Sequence, residues 1–357
     1  MATSDTSAAE EVRNEAARLQ SDIDTLRGKV TLSGMRDKVS DLHNGTLGLG
    51  QRLKDLRGRS YVFEKSLEAK AGDMAMRWAT IRGSVDSQLI QQSTMLQNDM
   101  RMLDAQLPHL MAVQNSPDMA RPLLSALRSS VNGLQGRTNA AEVAVGSLFE
   151  AYEAEYEELD AHLDDVTWAL DRRDEATFQL LPTEGVVMAV EAVWTKDGKE
   201  DASDPKGILF LTDQRLLFEQ KQEVATKKIL FITTASEKVH KLLFEVPCGL
   251  IEDVTPSKQG LFKNQDFIDL RLGMGAFLPN TSLHLNGQDS TGWSVLIKRV
   301  KGHELDADWA VALDAGAMEK VKKAPTQCPS CGGAITRPVM RGQDSITCEF
   351  CGLVIRL

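Results

Sequence analysis

The sequence predicts a multidomain α+β protein, and three patterns in the chain indicate it. Apolar residues recur at alternating steps of three and four residues through much of 1–178, which is typical of packed helices. Apolar and polar residues alternate within 181–303, which is typical of half-buried antiparallel strands. After a short helix and linker at 304–323, two tight cysteine pairs lie within 324–357. We therefore expect a helical region, a sheet domain and a small cysteine module, in that order.

Composition and charge exclude several classes of protein. The 357 residues are 42% hydrophobic and 26% charged, with a formal net charge of −10. This acidity disfavours broad nucleic-acid binding, which usually needs a basic face. The N-terminus lacks the basic head and apolar core of a secretory signal, and no apolar run approaches the ~20 residues of a membrane span. We expect a cytoplasmic protein, with a peripheral position at a membrane as one option.

The helical region has three apolar seams. The first steps by 4, 3, 4, 3 and 4 residues and comprises Val12, Ala16, Leu19, Ile23, Leu26 and Val30. Its spacing slips near Leu32, and HNGTLGLG at 43–50 predicts a break. Longer seams at 51–107 and 122–176 have similar lengths, and Pro108 is expected to end the earlier one.

Two similar helices joined by a proline-marked segment predict a long antiparallel hairpin or coiled coil. Residues 8–42 are expected to pack alongside it or to pair with another chain. We therefore expect a homo-oligomer formed through the helical region.

The sheet domain is predicted to have seven strands. They are 185–195, 206–212, 215–221, 228–233, 241–253 with a bend at Pro247, 266–273 and 281–286. Trp293, Leu296, Ile297 and Val300 then share one helical face. Seven strands followed by this helix predict a small barrel with a helical plug.

The block GILFLTDQRLLF at 207–218 contains two apolar strands around the turn Thr212–Arg215, with Arg215 expected in water. The block resembles the GRAM-type member of the pleckstrin-homology (PH) superfold over about 120 residues. The matching positions are Gly207, Leu209, Leu211, Thr212, Arg215, Leu216 and Phe218, with Pro247 and Ile251 in a later strand. The resemblance implies a PH-like fold that acts at membranes or binds proteins, within a three-part protein of bacterial type.

The cysteine pairs predict a metal site. Cys328 and Cys331 form one CxxC turn, Cys348 and Cys351 form the other, and a glycine follows each pair. A β-hairpin, expected to join 334–336 to 346–347, would bring four thiolates together at ~2.3 Å from Zn²⁺. The pattern resembles a zinc ribbon, which implies one structural Zn²⁺ per chain. Two disulfides, free thiols or a rubredoxin-type iron centre remain as alternatives.

Two basic clusters are candidate contact sites. Lys227, Lys228, Lys238 and Lys241 are candidates for an anionic surface, with Lys221 nearby. They could equally be edge-strand lysines that prevent strand pairing. Arg337 and Arg341 in the cysteine module are candidates for nucleic-acid contact, or simply a solvated tip. Cys248 is expected to be a small buried hydrophobe.

No nucleophile and base with catalytic spacing are recognisable in the sequence. We therefore expect a non-enzymatic cytoplasmic adaptor that docks to a protein partner or a membrane surface through the sheet domain. One alternative is a nucleic-acid-associated factor that uses the ribbon. Another is a membrane-remodelling helical scaffold, although eleven acidic residues within 150–175 would repel anionic lipid.

Overall fold

The computed structural model describes residues 2–195, 198–229, 232–310 and 315–357. The side chains of residues 2–7, 224–237, 315, 317 and 318 lie outside this description. The chain divides into two compact units. The helical unit comprises Met1–Gly50 and Ala69–Asp160, and the mixed unit comprises Gln51–Glu68 and Ala161–Leu357.

Five helices precede the sheet. They are α1 (Ala2–Lys29), α2 (Ser33–Gly58), α3 (Leu67–Val113), α4 (Pro117–Gly146) and α5 (Glu150–Asp174). The predicted seam of α1, from Val12 to Val30, is at most 2% exposed at every position. The spacing therefore identified the buried face of this helix correctly.

Several predicted helix boundaries are wrong. Residues 43–50 are helical within α2, and the chain breaks earlier, where Leu32 adopts a φ of 54°. Gly45 lies against the Tyr156 hydroxyl, with which a Cβ would overlap, so this glycine provides space and does not break the helix. Pro108 lies inside α3, whose last turns are anchored by the buried Leu110. The predicted helix at 122–176 is two helices, because the chain breaks between Gly146 and Glu150.

Ion pairs connect the helices within the helical unit. They join Arg27 to Asp104 at 2.8 Å, Arg137 to Asp99 at 3.0 Å, and Arg128 to Glu15 at 2.6 Å. Helices α1, α3 and α4 therefore all contact one another. Exposed pairs of this kind contribute only ~0–1 kcal/mol each. The buried apolar seams, and not the ion pairs, hold this unit together.

The mixed unit contains one seven-stranded antiparallel sheet. Its strands are β1 (Val186–Thr195), β2 (Lys206–Thr212), β3 (Arg215–Ile229), β4 (Ile232–Pro247), β5 (Ile251–Gln259), β6 (Gln265–Leu272) and β7 (Asn280–Leu285). Their spatial order is β4-β3-β2-β1-β7-β6-β5. Since β4 and β5 are the two ends of this order, the sheet is open and the predicted closed barrel is wrong.

Helix α6 (Ser290–Lys301) follows β7 and buries Trp293, Ile297 and Val300 against the sheet, as its spacing predicted. Asp289 caps this helix by accepting a 2.8 Å hydrogen bond from the Gly292 amide. Seven antiparallel strands followed by one helix agree with the predicted PH-like fold. We call Val186–Lys301 the sheet domain.

The middle strands differ from their predicted bounds. The predicted strand 228–233 is divided, because Lys228 and Ile229 belong to β3 and Ile232 and Thr233 belong to β4, while residues 230 and 231 lie outside the described residues. The segment 241–253 is not one bent strand either. Strand β4 ends at Pro247, a short 3₁₀ turn follows, and β5 begins at Ile251. The pairing of β3 with β4 extends both strands through polar segments. These segments show no alternation of apolar and polar residues, so their strand structure was not predicted.

The strands of the GILFLTDQRLLF block are central in the sheet. Ile208–Leu211 and Leu216–Phe218 are at most 5% exposed, and β2 pairs with β1 on one side and β3 on the other. Both faces of these strands are therefore covered, which explains why the two runs are apolar without alternation.

Replacing Gly207 with alanine is expected to destabilise the sheet domain. A Cβ at this position would overlap the backbone carbonyl of Glu219 on β3, and backbone cannot move aside as a side chain can. We expect a loss of about 1–3 kcal/mol in the free energy of unfolding, as for an overpacked core. Denaturant unfolding checks this, with Gly50→Ala in α2 as the control, since nothing lies within 4 Å of its added methyl. Equal stability of the two variants would contradict the prediction.

The C-terminal part contains α7 (Ala315–Lys322), β8 (Ser345–Thr347) and β9 (Val354–Arg356). The short helix predicted after residue 304 is a 3₁₀ turn at Glu304–Asp308, and Leu305 is buried. Among the described residues, no helix has both the length and the apolar character required to cross a bilayer.

Candidate metal centre and docking surfaces

The four predicted cysteines form one cluster. Their sulfur atoms all lie within 4.8 Å of one another. The Sγ atoms of Cys328 and Cys351 are 3.6 Å apart, as are those of Cys331 and Cys348. These distances exceed the ~2.05 Å of a disulfide bond. They agree with the ~3.8 Å edge of a tetrahedron whose corners lie ~2.3 Å from a zinc ion. The cluster can therefore hold a metal ion.

Backbone hydrogen bonds shape both cysteine turns in the same way. The amides of Gly332 and Gly352 donate to the carbonyls of Cys328 and Cys348, both at 2.9 Å. Both glycines have positive φ, 72° and 75°, a conformation that favours glycine. The backbone geometry of the two turns thus explains why a glycine follows each cysteine pair.

The predicted hairpin of the cysteine module is paired differently. Strand β8 pairs with β9, so Ile346 lies opposite Ile355, whereas Ala334 forms a bridge with Gln327. The expected pairing of 334–336 with 346–347 is therefore wrong. Ile355 packs with Cys328 and Cys348 in a small buried cluster, which places β9 in the core of the module.

The pKa values of two of the cysteine thiols, Cys328 and Cys351, are shifted in opposite directions. A hydrogen bond from the Cys331 amide is the main cause that lowers the pKa of Cys328 to about 6. The pKa of Cys351 is raised to about 12. The hydrogen bond from the Leu353 amide acts to lower it, but contacts with the neighbouring cysteines and burial outweigh that bond. Such a spread is expected when several acids share one site. Four thiolates are also the donor set that zinc prefers in structural sites.

Arg341 anchors the cysteine module to the sheet domain. Its guanidinium forms an ion pair with Asp213 in the β2–β3 turn and lies 4.9 Å from the ring centre of Trp309. Its backbone carbonyl accepts a 3.1 Å hydrogen bond from the Gln214 side chain, and its amide donates back to that side chain. Beside it, Gly342 leaves no room for a Cβ, which would overlap the Pro182 carbonyl. The loop that contains Arg341 and Gly342 therefore docks on the β2–β3 turn.

Arg341 and Arg337 have different surroundings. Arg341 is 6% exposed, and burial lowers its pKa. Arg337 is exposed. Nucleic-acid contact by these residues stays a prediction, and the burial of Arg341 disfavours it at that position.

Arg215 is buried, so the prediction that it stays in water is wrong. Its guanidinium donates to both carboxylate oxygens of Glu184, at 2.9 and 2.7 Å, and also pairs with Glu245. The Arg215 side chain is 6% exposed and that of Glu184 is fully buried. Burial acts to lower the pKa of Arg215, but the two carboxylates raise it overall. The burial of Arg215 could not be predicted from the local sequence, because both glutamates lie about 30 residues from Arg215.

The candidate lysines lie on the β3–β4 hairpin. Lys238 and Lys241 are exposed, and Lys238 is 4.0 Å from Glu223. The side chains of Lys227 and Lys228 lie outside the described residues. Lys221 pairs with Glu175, the residue after α5, so this lysine is engaged within the protein.

Two features were missed by the sequence reasoning. A cavity of about 380 Å³ lies between the sheet domain and the cysteine module, with Cys248, Pro338 and Arg341 in its walls. Cys248 is 2% exposed, as predicted, and burial raises the pKa of its thiol far above the usual range. The other feature is an exposed apolar pair, Leu261 and Phe262, in the β5–β6 loop. Two bulky apolar residues between a glycine and a lysine were a visible signal in the sequence.

Comparison with known proteins gives fold neighbours only. No family model matches the sequence. No curated protein matches it either.

The solved structures similar to this chain include PH domains. The Vps36 N-terminal PH domain is 15% identical, with a TM-score of 0.25, over 36% of this chain and 86% of that one. The DH/PH domains of PDZ-RhoGEF, solved in complex with activated RhoA, are 14% identical with a TM-score of 0.23, over 83% of this chain and 94% of that one. The DH/PH domains of p115-RhoGEF are 13% identical with a TM-score of 0.21, over 84% and 98%. Identities and scores at these levels assign the chain to no family.

Proposed function

We propose that this chain is a non-enzymatic cytoplasmic adaptor whose GRAM-type sheet domain docks on an anionic membrane surface. The observation that carries the proposal is the β3–β4 hairpin. Strand β2 pairs with β3 only as far as Gln220, whereas β3 and β4 stay paired from Lys221 and His240 to Ile229 and Ile232. The hairpin therefore extends past β2 by about nine residues, or roughly 30 Å at ~3.3 Å per residue.

The charge of this projecting hairpin supports docking to anionic lipid. Residues 221–241 contain five lysines and two glutamates, although the whole chain is acidic. Lys221 pairs with Glu175, so the other four lysines are the candidates for lipid contact. Each lysine near an anionic leaflet contributes ~1 kcal/mol to binding. Lysines that only protect an edge strand would not require a hairpin that projects past its neighbour.

We propose that the cysteine module is a zinc ribbon that holds one structural Zn²⁺. The sulfur geometry and the donor set support this, and four protein thiolates leave no coordination position for water or substrate. The anchoring of Arg341 to the β2–β3 turn supports a ribbon that is part of the docking unit.

The role of the helical unit in this proposal is reach and self-association through coiled-coil contacts. The apolar residues Leu47 on α2 and Met76 on α3 stay exposed and are available for such contacts. A protein partner bound by an oligomeric adaptor would then be brought to the membrane.

The lysines provide the first test of the proposal. The full-length Lys238→Glu/Lys241→Glu variant is expected to bind vesicles of phosphatidylcholine and phosphatidylserine about 10–100-fold more weakly than the parent chain, because each substitution reverses one favourable charge. Co-sedimentation measures the affinity. Lys54→Glu/Lys70→Glu changes the net charge equally at exposed helical positions and should retain near-parental binding. An equal loss in both variants would indicate a general charge effect and contradict docking through the hairpin.

A further inference from the structure

The loop between β5 and β6 exposes two large apolar side chains. Leu261 is 94% exposed and Phe262 is 82% exposed, more than almost any other large apolar residue in the described part of the chain. Single exposed apolar residues are common on protein surfaces. Two adjacent, highly exposed ones at the tip of a loop are unusual and indicate a contact site.

The backbone of this loop is a tight turn. Strands β5 and β6 remain paired up to Gln259 and Gln265, so only five residues connect them. Gly260 and Lys263 have positive φ, 84° and 53°, and the Lys263 amide donates a 3.2 Å hydrogen bond to the Gly260 carbonyl. The turn closes on itself and leaves the two apolar side chains at the tip of a paired hairpin.

The residues around the tip are polar, and their charges are arranged unevenly. Lys258 lies 2.6 Å from Asp266 and 2.9 Å from Asp289, so this group at the base of the loop has a net charge of −1. Lys263 is exposed and forms no salt bridge with any residue that the structure describes. The five loop residues 260–264 therefore carry one positive charge, on Lys263, which directly adjoins Phe262.

The size of the tip favours a lipid surface over a protein partner. A stable protein interface buries about 800 Å² on each side, whereas one buried aromatic residue supplies about 150–250 Å². Two apolar side chains ringed by polar ones fall short of such a patch. They match an apolar wedge that enters the boundary between headgroups and acyl chains, which is ~5–10 Å deep.

We propose that Leu261 and Phe262 insert into the interfacial layer of a lipid bilayer while Lys263 contacts anionic headgroups. This inference rests on the membrane docking proposed above and identifies the segment that enters the lipid. The lysines of the β3–β4 hairpin supply long-range attraction, and the β5–β6 tip supplies apolar burial.

The test compares full-length variants on vesicles of phosphatidylcholine and phosphatidylserine. Leu261→Ser/Phe262→Ser is expected to lower the affinity about tenfold or more. The variant lacks the two large apolar side chains whose transfer from water into lipid would favour binding. The control is Val143→Ser on α4, which removes an apolar side chain that is 72% exposed, and its binding should stay within about twofold of the parent. The Phe262→Trp variant reports insertion directly. Relative to the parent chain, it should show additional fluorescence that shifts to the blue on vesicles and is quenched by brominated lipid.

The outcomes separate this inference from the docking proposal. Suppose that the parent binds vesicles, the double serine variant binds equally well and the Phe262→Trp fluorescence is not quenched. This result would contradict the insertion of Leu261 and Phe262, but not the docking of the sheet domain on the membrane. If the parent does not bind these vesicles at all, docking and the wedge both fail. Crosslinking of the tip to a protein, without quenching by lipid, would also overturn the wedge.

Discussion

Removal of the metal is expected to unfold the cysteine module and to release its loop from the β2–β3 turn. The described core of this module is small, since Cys328, Cys348 and Ile355 are its buried members. A module of about 30 residues cannot bury enough apolar surface to fold alone. Structural zinc supplies roughly 10–16 kcal/mol of apparent binding free energy in comparable small domains. Loss of the ion should therefore remove most of the module's stability.

Hydrogen exchange of the full chain, with and without a chelator, measures this effect. We expect amides in 324–357 to lose protection, and those of the β2–β3 turn around Gln214 to become less protected, because Arg341 no longer covers them. Returning Zn²⁺ should restore both. Unchanged protection in a preparation shown by elemental analysis to be metal-free would contradict a structural metal.

Matched cysteine variants make the same test specific. Cys348→Ser should lose most of the bound zinc, whereas Cys248→Ser should keep about one zinc per chain, since Cys248 lies outside the cluster. Equal zinc content in the two variants would show that the metal is not held by the cluster.

Replacement of Arg215 is expected to destabilise the sheet domain strongly. Arg215→Met would leave the fully buried Glu184 carboxylate without its cationic partner. Within the described part of the chain, this carboxylate would then keep hydrogen bonds only from the Thr212 hydroxyl and the Leu181 amide. Breaking a buried ion pair from one side costs about 3–5 kcal/mol, because the remaining charge is neither solvated nor compensated. Hydrogen exchange of amides in β2 and β3 measures the stability of this sheet separately from the helices.

The control for Arg215 is Arg299→Met. Arg299 is partly exposed and lies 3.6 Å from Glu304, so its loss should cost no more than ~1 kcal/mol. The double variant Glu184→Gln/Arg215→Met should recover part of the loss, since no buried charge remains unpaired. A cost for Arg215→Met as small as that for Arg299→Met would contradict a stabilising role of the buried pair.

Local patterns predicted the parts of the structure that depend on local contacts. The heptad spacing of α1, the helical face of α6 and the clustering of four cysteines were all readable from the sequence. Turn chemistry likewise placed a hairpin at Thr212–Arg215.

The contacts of that turn could not be predicted, because their partners are remote in the chain. Arg215 is buried by Glu184 and Glu245, and Asp213 is paired with a residue from the cysteine module, Arg341. A polar turn next to two strands has the same sequence pattern whether water or another module covers it. The GILFLTDQRLLF block therefore identified a fold, but it could not identify a docking site.

Helix boundaries were mispredicted for a similar reason. The segment 43–50 was interpreted as a break, yet it is helical and Gly45 within it makes space for Tyr156. Pro108 was expected to stop α3, yet the helix continues to Val113 with Leu110 buried. In both cases tertiary packing outweighed the local propensity of the residue.

The most direct test of membrane docking is the binding of the zinc-loaded, full-length chain to vesicles at low and high salt. We predict binding to vesicles that contain phosphatidylserine, little binding to pure phosphatidylcholine, and a decrease with salt as the lysine contacts are screened. Absence of binding to phosphatidylserine vesicles at low salt would contradict docking of this chain on an anionic membrane.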